Sequence, residues 1–178
     1  YNTYWVRFNH RLFTFEQAVR NTQTLFEAAK RAGIGRIVHV SILHADRAPH
    51  LAYYRGKAEL ERSLRSLGVP HAILRPGVLF GRGDILVNNI AWVLRRLPIF
   101  GVFGDGSYKL QPMHVDDMAD LAVAHAELDG ETEADAVGPQ VFTYRELVRT
   151  IGGIIGVRRP IVSVSPSVGL AVSRLRNP

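Results

Sequence analysis

Twice in succession an amphipathic helical pattern runs into a glycine and then into a short strand-like run, and this alternation restricts the fold more than any other feature. From Thr14 the apolar side chains Phe15, Ala18, Val19, Leu25, Phe26 and Ala29 recur at helical spacing, with Thr14 and Gln17 placed as a capping box and Gly33 as the stop. Arg36-Ile-Val-His-Val-Ser41 follows in the form of a short buried strand. A polar loop through His50 leads to a second helix, about Ala52 to Leu67, that turns Ala58, Leu60 and Leu64 inward and stops at Gly68. His71-Ala-Ile-Leu-Arg75 is then a second strand. Strands separated by helices pair in parallel, so the pattern predicts an α/β fold: a doubly wound parallel sheet with helices on both faces. Sites in such sheets lie at the carboxyl ends of strands, here Ser41 and Pro76-Gly77.

The remainder is patterned more weakly. Asp84 is placed to cap a third helix, Ile85 to Arg96, which Pro98 ends. Gly101 to Gly106 reads as a turn, Leu110 to Val115 as a short strand, and Asp116 as the N-cap of a helix over Met118 to Ala126. Capping accounts for His114-Val-Asp-Asp117 better than a metal cluster does. Thr143 and Glu146 form another capping box ahead of Leu147, Val148, Ile151 and Ile154, and Pro160 to Val164 is a last short strand. At 178 residues, with 47% hydrophobic and 21% charged, the chain suits one packed domain. No apolar run approaches the roughly 18 residues needed to span a bilayer, from which a soluble, cytoplasmic protein without a membrane span is expected. The absence of cysteine excludes disulfides, thiolate nucleophiles and cysteine-ligated metals.

The formal charge of +6 invites a nucleic-acid or anionic-membrane partner, but such a reading needs clustering. The 19 arginines and 3 lysines stand as singles and pairs, among them Arg95-Arg96 and Arg158-Arg159, with no basic run. A solvated basic surface and no nucleic-acid partner are therefore expected.

Tyr53-Tyr-Arg-Gly-Lys57 sets a phenol and an ammonium one helical turn apart, on one side of the helix. A cation close to a phenol favours the phenolate and brings its pKa toward neutrality, where it can exchange a proton. Ser41, at a strand end twelve positions earlier, offers a hydroxyl to hold a substrate oxygen. Ser, Tyr and Lys together suit proton transfer coupled to hydride transfer, a nicotinamide carrying the redox work. The bland alternative has Tyr53 packed on the sheet and Lys57 snorkelling to water. His39 shares a strand face with Ser41, yet no acidic residue is evidently placed to orient its imidazole as a serine hydrolase requires. Tyr4, Trp5 and Phe8 read as core, with a substrate lid as the alternative, and His10, His44 and His50 as loop residues.

These segments, from Asn21-Thr-Gln-Thr-Leu-Phe-Glu-Ala-Ala-Lys-Arg-Ala-Gly33 through Ile37-Val-His-Val-Ser41, Tyr53 to Lys57, Leu74-Arg-Pro-Gly-Val-Leu-Phe-Gly81, Gly104-Asp-Gly106 and Val115-Asp-Asp117, occur in the order seen in a known family. The chain resembles the short-chain dehydrogenase/reductase superfamily in its extended or atypical branch, which is epimerase/dehydratase-like and includes relatives of a complex I accessory subunit. The resemblance implies a Rossmann-like fold and NAD or NADP as cofactor. It assigns Ser41 to orienting a substrate oxygen, Tyr53 to acid/base work and Lys57 to lowering the Tyr53 pKa while bonding the nicotinamide ribose, with Asn21 completing the catalytic set. Pro76, Gly77 and Val78 would meet the nicotinamide amide through their backbone. The family's opening strand, glycine-rich turn and helix have no counterpart here, so the sheet is expected to lack the first βαβ half and the chain to be a fragment. One partial domain over 1–178 is expected, with about 101–178 as its smaller, substrate-side part. The implied activity is an oxidoreductase acting on a small-molecule carbonyl or alcohol. A non-catalytic NAD(P)H sensor or assembly factor tied to a respiratory or quinone complex, and a nucleotide-sugar epimerase or dehydratase, are the alternatives. Association into a homo-oligomer, or through an exposed sheet, is the partner expected for such a partial domain.

Overall fold

The structure, a computed structural model, describes residues 1–6, 9 and 13–165; Phe8 and His10 lie outside the described residues. In chain order its elements are α1 (Phe15–Arg31), β1 (Ile37–Val40), α2 (Ala52–Ser66), β2 (His71–Pro76), β3 (Leu79–Phe80), α3 (Leu86–Arg96), β4 (Phe100–Phe103), β5 (Lys109–Leu110), β6 (Met113–His114), α4 (Val115–Ala126), β7 (Thr132–Ala136), β8 (Phe142–Thr143), α5 (Tyr144–Ile154) and β9 (Ile161–Val164). They fall into two compact units, one of Tyr1–Gly77 with Val115–Val137, the other of Val78–His114 with the described residues from Gly138 onward.

The first unit is built on a parallel sheet in the order β1-β2-β7, with Ile37 opposite His71 and Ala72 opposite Thr132. Asn2 extends the sheet by a parallel bridge to His39 on the outer edge of β1. The Thr14 hydroxyl accepts from the Gln17 amide at 3.1 Å to start α1, and Gly33, at φ +67°, closes it with Ile34 N–H donating to the Ala29 carbonyl. α1 and α2 bury Val19, Phe26, Leu60 and Leu64 against Ile37 and Ile73 of the sheet, and α4 packs on the same strands. Gly56 is where this packing is tightest. A Cβ there would stand 2.8 Å from the Trp5 ring and 3.1 Å from Val19. The architecture is the Rossmann-like α/β arrangement expected from the helix and strand alternation.

In the second unit α3 and α5 pack over the parallel pair β4-β9, with Ile90, Leu94, Phe100, Val102, Val148 and Ile151 as its core. The capping box at Thr143 and Glu146 is complete. Leu97 is extended at the end of α3, as a residue before proline must be.

Several local expectations are corrected. Asp116 is not an N-cap: α4 already begins at Val115, and Asp116 and Asp117 occupy its first turn, where carboxylates favour the positive end of the helix dipole. The stretch read as one strand over 110–115 is divided between β5, β6 and the start of α4. Phe100–Phe103, read in part as a turn, is a strand because Phe100 and Val102 point into the core and the backbone pairs with β9. β7, Thr-Glu-Ala-Asp-Ala, carries no strand signal beyond its threonine, and its extended form comes from pairing with β2.

Candidate functional site

One face of α2 organises the chemistry. Tyr53, Lys57, Glu61 and Arg65 follow one another at intervals of four, so an ionisable stripe runs down the helix beside the ends of β1 and β2. Sequence reasoning identified the first two members and missed Glu61; the same spacing, carried one more turn, was the available signal.

Lys57 is buried. Its Nζ donates to the Val40 carbonyl at 2.9 Å and stands 4.5 Å from the centroid of the Trp5 ring. Burial lowers its pKa to about 8, with the Glu61 charge opposing the shift. Tyr53 sits in an aromatic cluster, edge-on to Trp5, Phe15 and Tyr54 at 5.6, 5.6 and 5.7 Å. Burial, followed by the neighbouring Tyr54, pushes its pKa up, against the lowering expected from Lys57. The amine is turned toward the Val40 carbonyl and the indole, and no hydrogen bond among the described residues joins it to the phenol.

Ser41 is 4% exposed, and its hydroxyl donates to Glu61 Oε1 at 2.5 Å. Glu61 also accepts from Arg75 Nε at 2.9 Å, from Arg75 Nη2 at 2.8 Å and from Arg65 Nη2 at 3.0 Å. Glu133 completes the network with Arg65 and Arg75, at 2.7 and 2.5 Å. These partners hold the Glu61 carboxyl below its ordinary pKa although burial works the other way, and the Glu133 carboxyl falls to about 2 through Arg65 first. Ser41 thus has an acidic partner, whereas His39 has none among the described residues: its Nδ1 accepts from the Asn2 side-chain amide at 2.9 Å, its ring packs edge-on to Phe26, and it is held neutral by burial at a pKa of about 3.

Asn21 lies exposed on α1, its amide donating to the Tyr4 hydroxyl at 3.2 Å. Pro76 ends β2 with its carbonyl accepting from Leu43 N–H, and Gly77 N–H donates to the Ala136 carbonyl; Val78 opens the second unit. The structure therefore gathers Tyr53 and Lys57 with Trp5, and Ser41 with Glu61 and Arg75, as two adjoining polar groups on α2. Asn21 binds elsewhere. A nicotinamide ribose fits the first group on one count: the buried Lys57 ammonium has three N–H donors and, among the described residues, one oxygen acceptor.

A parallel sheet covered by helices, with a Tyr-x-x-x-Lys pair on the helix following its first full strand, defines a Rossmann-like α/β domain. Known proteins agree. The chain is 33% identical over 152 residues to subunit 9 of the NADH dehydrogenase (ubiquinone) 1 alpha subcomplex, mitochondrial, from Mus musculus, covering 81% of this chain and 39% of the relative. The Arabidopsis thaliana subunit of the same name is 29% identical over 150 residues, covering 82% and 37%. A ceramide reductase from Caulobacter vibrioides is 29% identical over 147 residues, covering 81% and 45%. Among solved structures, UDP-glucose 4-epimerase of Thermotoga maritima superposes with a TM-score of 0.73 at 18% identity, over 85% of this chain and 59% of that one. No protein-family model matches the chain. In sequence the chain is similar to these subunits and this reductase, in fold to the epimerase, and it spans about two fifths of the length of the curated relatives it matches. The cytoplasmic location expected from the sequence is corrected, because the matched subunits are mitochondrial; the lack of an apolar span never bore on compartment.

Proposed function

We propose that the chain forms the nicotinamide-side part of an NAD(P)-binding subunit of a respiratory, quinone-linked complex, and that it holds the dinucleotide as a structural or sensing ligand. One observation carries this reading. The Ser41 hydroxyl spends its only proton on Glu61 inside a closed ion-pair network, so it has none to donate to a substrate oxygen. The raised pKa of Tyr53 works in the same direction. Lys57, with the Pro76-Gly77 turn, holds the ribose and amide in this reading. The relatives named as subunits of NADH dehydrogenase support a protein partner.

A second reading, an oxidoreductase, draws on the Lys57 amine, whose pKa of about 8 and place one turn from Tyr53 suit a proton relay, and on the relative named ceramide reductase. A bound nicotinamide would supply the hydride there. Tyr53 would supply the proton and Lys57 would restore it.

The full-length protein separates the two. NADH and NADPH binding is measured by calorimetry, and oxidation of each is followed with aldehydes, ketones, quinones and ceramide-like ketones, for the wild type and Tyr53→Phe. Binding without turnover, unchanged by the substitution, is the expected result. Turnover that Tyr53→Phe abolishes while binding persists would replace this reading with the second, and absence of binding to either nucleotide would end both.

A further inference from the structure

The two arginine pairs that stand 63 positions apart in the sequence meet at one end of the second unit. Leu94 in the last turn of α3 lies against Gly152 in the last turn of α5, and Arg159 Nε donates to the Leu94 carbonyl at 3.1 Å. The next residues start β4 and β9 side by side, Phe100 N–H donating to the Pro160 carbonyl at 2.9 Å. Arg95, Arg96, Arg158 and Arg159 are therefore all presented at this end, and all are exposed. The two helix C-termini supply a counter-charge of only roughly half a unit each. The acidic side chains of the unit, Asp84, Asp105 and Glu146, do not offset them. Asp84 and Glu146 serve the N-termini of α3 and α5, at the opposite ends of the helices, and Asp105 sits beside Arg145 in the first turn of α5.

The same end exposes apolar bulk. Trp92 is 54% exposed with the Arg96 guanidinium 5.5 Å from its ring centroid, Ile154 is 79% exposed, and Leu97 and Ile99 stand out of the turn between them. A cleft of about 390 Å³, lined by Leu94, Val148, Val157 and Ile161 together with Arg149, Arg158 and Arg159, opens there. Guanidiniums alone would fit any polyanion. Exposed tryptophan and aliphatic side chains at the same end match the chemistry of a bilayer interface, where headgroup phosphates meet the first methylenes.

We infer that this end of the second unit is a docking surface for an anionic phospholipid membrane. Arg95, Arg96 and Arg158 neutralise headgroup phosphates, Trp92, Leu97, Ile99 and Ile154 enter the interface, and Arg159 holds the end of α3 in place. This does not depend on the dinucleotide reading and requires no spanning helix; none among the described residues is long and apolar enough to be one.

The test is flotation of the full-length protein with vesicles of phosphatidylcholine alone and with added phosphatidylglycerol or cardiolipin, at low and physiological salt. Binding to the anionic vesicles only, weakened by salt, is expected. Each basic side chain at such a surface contributes roughly fivefold, so Arg95→Gln, Arg96→Gln and Arg158→Gln together lower the partition coefficient about a hundredfold. Trp92→Ser with Ile154→Ser weakens it further at every salt concentration. Circular dichroism melting of each variant confirms that it is folded, and the comparison of lipid compositions with the wild type needs no variant at all. Failure to float with anionic vesicles overturns the inference. So does equal binding to neutral vesicles, or binding to heparin or an acidic polypeptide that outcompetes the vesicles, which would assign the patch to a macromolecular polyanion.

Discussion

Replacing Glu61 by glutamine keeps the shape of the side chain and removes the charge on which Ser41, Arg65 and Arg75 converge. Its side chain is 6% exposed and Arg75 is 19% exposed, so this is a buried pair, whereas Arg65, at 39%, is at the surface. Removing one partner of a buried pair costs about 3–5 kcal/mol when the other is left uncompensated. Here Arg75 keeps Glu133 at 2.5 Å, and the glutamine carbonyl still accepts one bond, which brings the expected loss to about 2–3 kcal/mol. In a protein of this size that lowers the melting temperature by roughly 5–10 °C. Arg65→Ala, by contrast, costs under about 1 kcal/mol because solvent screens its pairs. The pH dependence has a definite sign. The folded pKa of Glu61 is depressed, so its stabilisation is full above the unfolded value near 4.3 and is lost as the pH falls through the folded value. The gap between wild type and Glu61→Gln should therefore narrow in acid. Thermal melts by circular dichroism at pH 7, 4 and 3 measure it. A shift below about 1 °C at pH 7, less than one neutral hydrogen bond is worth at this size, would refute the account of the network.

Other expectations follow from single contacts. His39, with a folded pKa of about 3, stays neutral while the unfolded chain takes up a proton below about 6.5, so stability falls by up to about 1.4 kcal/mol per pH unit from 6.5 downward. Urea titrations at pH 7 and 5 should show that slope in the wild type and a flatter one in His39→Gln; equal slopes would contradict it. Gly138→Ala places a Cβ against the Pro112 carbonyl oxygen and must move backbone, costing at least about 3 kcal/mol; a melting temperature near wild type would show that the close approach is absent. Thr143→Ala removes the acceptor for Glu146 N–H and costs about 1 kcal/mol, read as a drop in chemical-denaturation midpoint, while Thr143→Ser restores most of it.

The sequence by itself determined the fold class, because amphipathic period, capping threonines and glycine stops are local and each is written within one or two turns of chain. α1, α2 and α5 and strands β1, β2 and β9 were legible for that reason, as was the Tyr53 and Lys57 pair on one helix face. Only tertiary structure decided the rest. β7 is extended because β2 offers it hydrogen bonds, and no residue after Thr132 in that strand announces this. Ser41 is turned from a substrate-facing hydroxyl into a network member by Glu61 and Arg75, 20 and 34 positions further along the chain. The arginine pairs at 95–96 and 158–159 carry no message apart; packing the last turns of α3 and α5 together makes them one charged surface. Charge density is a property of distances in space, and a chain records only distances along itself.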